Sequence, residues 1–188
     1  MKLKAIGAII NKSKQLVLFD EGLRQWIGDG GGVYLMPESV GKLTEQSAPI
    51  IFDINETKAA DMLIRRNTIS TNYDTADEGD EYSTTFDPNR RIKYGGADLL
   101  PVTTGGGRTY FLQTKYLKPL TDSDPVITLR YGRNNGMPYF VAKAGMFAEA
   151  ILMPWAAKPE LTEWMTGIVN GAAAARMYED RSITDEEE

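Results

Sequence analysis

Cysteine and histidine are both absent from this sequence. Without cysteine there is no disulfide framework, no zinc finger, no iron–sulfur site and no thiol nucleophile. Without histidine the usual general base near neutral pH is missing, and so is the commonest nitrogen ligand for transition metals. Serine triads, zinc hydrolases and histidine-based nucleases drop out, which leaves carboxylate, lysine or tyrosine chemistry. No apolar run reaches the roughly eighteen residues that a membrane-crossing helix needs. Residues 1–10 run basic then apolar, as a signal peptide does. Asn11, Lys12 and Lys14 then stand where an apolar core would continue, so 5–10 is read as a strand and the chain as cytoplasmic, with no membrane partner.

What is present suits one domain. The 188 residues can bury a real core without covalent staples. The expected fold class is α+β: a single domain over 1–178, rich in antiparallel β-sheet, followed by an acidic disordered tail over 179–188. The net charge of −5 is unevenly placed. The tail holds six acids and one base, and residues 74–87 hold six acids and no base, which leaves 1–73 and 88–178 about +6. That separation allows a modest basic face and makes DNA an admissible partner, without the look of a general nucleic-acid binder.

Short strands are expected at 15–20, 24–27 and 33–36, with Gly22 and the run Gly28-Asp29-Gly30-Gly31-Gly32 as breaks. Asn55 fits a helix N-cap, and Ala59, Ala60, Leu63 and Ile64 at helical spacing predict a helix over 56–66. A short helix is expected within 43–54. Residues 67–98 are polar and read as a long hairpin or loop, with strands at 82–86 and 91–94. Strands at 99–103 and 109–112 flank Gly105-Gly106-Gly107, and one or two helical turns follow within 113–120. Strands at 126–131 and 139–143 flank the strong hairpin signal Asn134-Asn135-Gly136, and another spans 147–153. Pro159 opens the clearest element. Leu161, Trp164, Met165, Ile168, Val169, Ala172 and Met177 form one stripe, predicting a helix over 159–178.

Two stretches are alike. Residues 15–37 and 126–154 each read as a three-stranded meander ending in Leu-Met-Pro, at Leu35-Met36-Pro37 and Leu152-Met153-Pro154. Duplicated halves over 1–66 and 99–154 are one explanation; chance recurrence of apolar strands ending in proline is the other. Residues 114–154, about a fifth of the chain, also resemble the C-terminal end of bacterial DNA sliding clamps. The matching text is Thr114-Lys-Tyr-Leu-Lys-Pro-Leu120, Val126-Ile-Thr-Leu-Arg-Tyr131, Pro138-Tyr-Phe-Val-Ala142 and Ile151-Leu-Met-Pro154. In that family partner peptides dock in an apolar cleft beside the Met-Pro end. The resemblance therefore implies a partner-binding site at Met153 and Pro154, with Trp155 beside them. This chain is too short for the family's three domains, and it continues past Met-Pro into a long helix, so a clamp-like subdomain is what the likeness implies. The glycine-rich, short-stranded style is also similar to small phage or prophage accessory proteins.

Other candidate sites each have a plainer reading. The two glycine runs suit phosphate cradles or tight turns, but neither has P-loop spacing. Asp74, Asp77, Glu78, Asp80 and Glu81 suit a hard cation or a solvated loop, and lack EF-hand spacing. Arg90, Arg91, Lys93, Arg130 and Arg133 are candidate phosphate contacts, or parts of a mixed surface. Trp155 and Trp164 suit helix docking or an interface. Gly167 and Gly171, one turn apart, permit close helix packing within the chain or in a homo-oligomer. No nucleophile–base pair is supported by spacing, and no cofactor or metal site is expected. The expectation is a non-catalytic binding protein with a protein partner, accessory to DNA replication or recombination. The alternatives are a counter-defence inhibitor that presents an acidic surface to a host nucleic-acid-binding protein, and a carboxylate-based enzyme or nucleotide-binding protein.

Overall fold

The computed structural model describes residues 2–70, 72–75, 80–87, 89–120 and 125–184, with backbone alone over 173–184. The chain opens with helix α1 (Leu3–Ser13) and a meander of β1 (Gln15–Glu21), β2 (Arg24–Gly28) and β3 (Gly32–Leu35). Short helices α2 (Ser47–Ile51) and α3 (Glu56–Ala60) lead to β4 (Leu63–Thr68), β5 (Tyr82–Thr85), β6 (Ile92–Tyr94), β7 (Ala97–Thr104) and β8 (Thr109–Gln113). A 3-10 turn, Thr114–Leu117, precedes the second meander of β9 (Val126–Tyr131), β10 (Pro138–Ala144) and β11 (Phe147–Leu152). Helix α4 (Pro159–Thr184) comes last. The α+β, sheet-rich architecture is as expected.

Three local expectations are corrected. Residues 5–10 lie in α1, not in a strand. Leu3, Ile6, Gly7 and Ile10 recur at helical spacing, and Ile6, Ile9 and Ile10 bury one face of the helix, a pattern the short Ala-Ile run hides. The helix predicted over 56–66 stops at Ala60, and Leu63 and Ile64 belong to β4. Asn55 does cap it, its side chain accepting the Lys58 N–H. A parallel ladder with β1, Gln15↔Leu63 to Asp20↔Thr68, overrides the helical spacing there. Helix α4 runs to Thr184, past the expected boundary at 178. The remainder of the acidic tail, 185–188, lies outside the described residues.

The eleven strands form one sheet in the order β4-β1-β2-β3-β11-β10-β9-β5-β7-β6, with β8 on β7. Apart from the β1–β4 pair, the pairings are antiparallel. The two similar meanders are thus joined edge to edge, β3 against β11, through Val33↔Ile151 and Tyr34↔Ala150. The sheet folds over at β5, which pairs with both β9 and β7. Leu100, Val102 and Leu112 therefore meet Leu16, Leu18, Phe140 and Leu152 in one core, closed by Ile6, Ile9 and Ile10 of α1. Each such side chain contributes about 1.5–3 kcal/mol on burial. Strand alternation puts Trp26, Val33, Tyr139, Val141 and Ile151 on the opposite face, where Ile69 and Tyr73 cover them. A third cluster, Leu99, Phe111 and Met165, fastens α4 to the outside of β7 and β8.

Candidate functional site

β3 is shorter than both of its neighbours. It ends at Leu35, opposite Trp26, and its last bond across to β2 is Met36 N–H to the Gln25 carbonyl at 2.8 Å. Pro37 then turns the chain into the 3-10 turn Glu38–Val40. β2 continues to Arg24 in its pairing with β1, and β11 begins at Phe147 in its pairing with β10. The result is a cleft of about 1070 Å³ where β3 leaves off, between the tips of two hairpins. Leu23 stands at one tip, 98% exposed; Met146 and Phe147 stand at the other, 82% and 74% exposed. Trp26, Leu35, Met36, Pro37 and Ala148 complete the apolar lining.

Polar contacts hold this frame. The buried Gln25 amide donates to the Leu43 carbonyl at 3.0 Å and to Asp20 at 3.1 Å, while accepting the Leu43 N–H at 2.8 Å. That pins the 38–43 loop to β2. Trp26, wholly buried, donates its indole N–H to Glu21 at 2.8 Å, and Thr75 bonds the same carboxylate. Arg66 donates to Asp20 at 2.8 Å, and this bond holds the Asp20 carboxyl below its ordinary pKa of 3.8. The lining carries three cations, Arg24, Lys42 and Lys143, against one carboxylate, Glu38. Lys143 is bonded to Glu81, and Lys42 reaches Gly22 and Asp20. Arg24 is exposed and makes no ion pair among the described residues. Such a cleft offers apolar contact and, at Arg24, an exposed positive charge, and Glu38 is the one carboxylate among the described residues that line it.

The residues singled out from sequence are dispersed. Met153 donates its N–H to Gly31 at 2.8 Å and packs on the Trp26 face of the sheet. Trp155 donates its N–H to Phe111 at 2.7 Å and packs with Leu161 and Val169 around Met165 under α4, its ring edge-on to Tyr94. Met153, Pro154 and Trp155 do not line the large cleft, which lies at the first Leu-Met-Pro end instead of the second. Arg130 is 2% exposed and bonded to the Asp74 carbonyl and the Glu81 carboxylate, both at 3.1 Å, with the Asp74 carboxylate at 3.4 Å. Asp74 in turn faces Arg133 at 3.5 Å. Arg130 is thereby committed to the protein's own carboxylates rather than to a phosphate. Arg90 and Arg91 pair with Asp87 and Asp98. Lys93 lies on β6, three strands from β9, so the five cations form no common patch. Among the acids of the 74–81 loop, Asp77 and Glu78 lie outside the described residues.

The first glycine run is a turn. Asp29 accepts the N–H groups of Gly31 and Gly32 at 3.0 and 3.2 Å and the Tyr116 hydroxyl at 3.2 Å, so these donors are taken. A Cβ on Gly28 would lie 1.8 Å from the Gly32 carbonyl oxygen, and one on Gly31 would lie 2.1 Å from the Tyr116 hydroxyl. Close packing explains glycine at both positions. A basic face not singled out from sequence belongs to α1, which contains no acid and exposes Lys4 and Lys12, with Lys14 just beyond its end. The Lys2 N–H bonds Pro119 at 2.7 Å, which brings the start of α1 beside the exposed Lys118. The clue to the cleft was a large apolar residue at each of two glycine turns, Gly22-Leu23 and Gly145-Met146-Phe147. Comparison with known protein families, with curated proteins and with solved structures finds no match for this chain.

Proposed function

We propose that this chain is a non-catalytic binding protein, accessory to DNA replication or recombination, that docks a segment of a partner protein in the cleft between the 22–23 and 145–147 turns. The observation that carries the reading is the cleft itself. Monomeric proteins seldom leave large apolar side chains together at the rim of a concavity, and such rims mark interaction sites. The sliding-clamp likeness of residues 114–154 supports the same class of function, although the Leu-Met-Pro end that carries it, Leu152-Met153-Pro154, is not the one beside this cleft. The test is a photo-crosslinking amino acid placed at Met146, with Ile50 on α2 as an exposed control outside the cleft. In extract from the cells that carry the gene, one dominant adduct is expected from position 146, absent from position 50 and lost in Leu23→Ser. Equal adducts from both positions sink the reading.

The α1 lysine face favours a second contact, with the DNA backbone. Phosphate neutralisation releases counterions, so affinity for a DNA duplex falls steeply with salt. Lys4→Glu with Lys12→Glu is expected to abolish or strongly weaken duplex binding, and to lower the log–log salt slope of any residual binding by about 2. Unchanged binding in fluorescence anisotropy removes DNA from the proposal and leaves the cleft standing.

A further inference from the structure

We infer that the cleft takes its partner as an added strand: an extended segment, apolar at alternate positions and acidic opposite Arg24, lying in the lane that β3 leaves empty. The inference rests on the docking reading and specifies its mode. β2 runs to Arg24 and β11 starts at Phe147, yet β3 pairs with β2 only as far as Leu35, opposite Trp26, and with β11 only as far as Tyr34, opposite Ala150. Neighbouring strands lie about 4.8 Å apart, so one further backbone between β2 and β11 would take the place in the sheet that β3 vacates. The protein's own chain follows this lane as far as Met36, whose N–H bonds the Gln25 carbonyl, and leaves it at Pro37, which turns into Glu38–Val40.

On the β11 side, Phe147, Ala148 and Glu149 pair with no strand among the described residues where β3 would continue. The β10–β11 register shifts between Ala142 and Lys143, so Glu149 drops out of the ladder. Bulges of this kind often sit where a strand edge is put to use. Unpaired backbone groups at a strand edge are a template for another chain, and strand addition supplies main-chain affinity while alternate side chains supply specificity. Alternate residues of the added strand meet the apolar lining of Leu23, Met36 and Met146. Arg24, exposed and without an ion partner among the described residues, selects an acidic side chain.

The test uses the full chain and a displayed library of random peptides about nine residues long, a length that covers the lane and its flanks. Enriched sequences are remade with a fluorophore and measured by anisotropy. Alternating apolar residues with an Asp or Glu are expected. N-methylation of a lane-facing amide is expected to weaken binding at least about tenfold, through the loss of a hydrogen bond and the clash of the methyl. Replacing the peptide acid by its amide is expected to cost about tenfold with the native protein and less than about twofold with Arg24→Gln. Leu23 and Met146 are almost wholly exposed, so Leu23→Ser with Met146→Ser leaves the fold intact and is expected to abolish binding. Peptides that need Leu23 and Met146 but tolerate every single N-methylation, or that carry helical spacing, overturn strand addition and keep the docking reading. Peptides indifferent to Leu23 and Met146, or none enriched, overturn both. A dimer in sedimentation without peptide, lost in the double serine variant, makes a second copy the occupant and overturns the inference.

Discussion

Asp74 and Arg130 are among the least exposed charged groups, at 4% and 2%, and they pair at 3.4 Å within a cluster that includes Glu81 and Arg133. A buried ion pair adds little when whole, but removing one partner strands the other in a medium that disfavours charge. Arg130→Met is therefore expected to cost about 3–5 kcal/mol, read from the urea midpoint at constant m-value. A loss below about 1 kcal/mol would mean that water reaches the cluster freely. Asp20 tests the same logic at the surface. Its pKa is lowered by the Arg66 hydrogen bond, so its contribution is present above the ordinary value of 3.8 and is lost as the pH falls below it. Asp20→Asn is expected to flatten the stability curve below about pH 4, as followed by urea midpoints between pH 6 and 2. Little of this was legible beforehand. Asp74, Glu81, Arg130 and Arg133 were all noticed, but as separate acidic and basic candidates, because a one-dimensional charge count cannot tell that a strand turns its arginine towards the loop above it.

Helix α4 is plain in the sequence, but its apolar stripe is broader than the face that packs. Leu161, Met165 and Val169, one turn apart each, meet the sheet, whereas Trp164 and Ile168 are exposed. Periodicity identifies an apolar arc but not which part of it the neighbouring strands can reach. Met165→Ala is expected to cost about 2–5 kcal/mol through lost burial and a cavity beside Leu99 and Phe111. Trp164→Ala is expected to stay within about 0.5 kcal/mol. Thermal unfolding of both variants checks the contrast, and equal losses would mean that the helix docks on a different face. The same arithmetic applies at the β2–β3 turn. Gly31→Val places a branched side chain against Tyr116, and the expected outcome is a drop in stability of about 3 kcal/mol or more. Helix α1 and strand β4 differ from their sequence expectation for a common reason: a few apolar residues in a short stretch fit both periods, and only the partners decide between them.

At the scale of the molecule, the paired meanders were the most informative sequence feature. Both stretches form three antiparallel strands, and β3 and β11 unite them near their Leu-Met-Pro ends. The position of the cleft was not legible, because it arises from a mismatch of strand lengths: β3 has four residues beside a five-residue β2 and a six-residue β11. Alkaline stability is a property of the assembled core as well. Tyr34 and Tyr116 are buried next to Asp29, which pushes both hydroxyls above their ordinary value of 10. Protonated in the native state, they contribute stability below pH 10 that is lost as the pH rises further. Far-ultraviolet circular dichroism is expected to be lost above pH 10, and Tyr116→Phe, which removes one of the two hydroxyls, is expected to lessen that alkaline loss. An alkaline transition unchanged in Tyr116→Phe would count against that coupling.

Joining β3 to β11 also sets an order on biosynthesis. Val33 leaves the ribosome more than a hundred residues before its partner Ile151, an interval on the order of ten seconds at ordinary elongation rates. Throughout that interval the nascent first meander carries a bare strand flank, open to any other emerging polypeptide. A ribosome stalled before residue 126 is expected to hold a product that clumps on release, whereas one stalled after the second meander has cleared the exit tunnel holds a product already sealed against its neighbours.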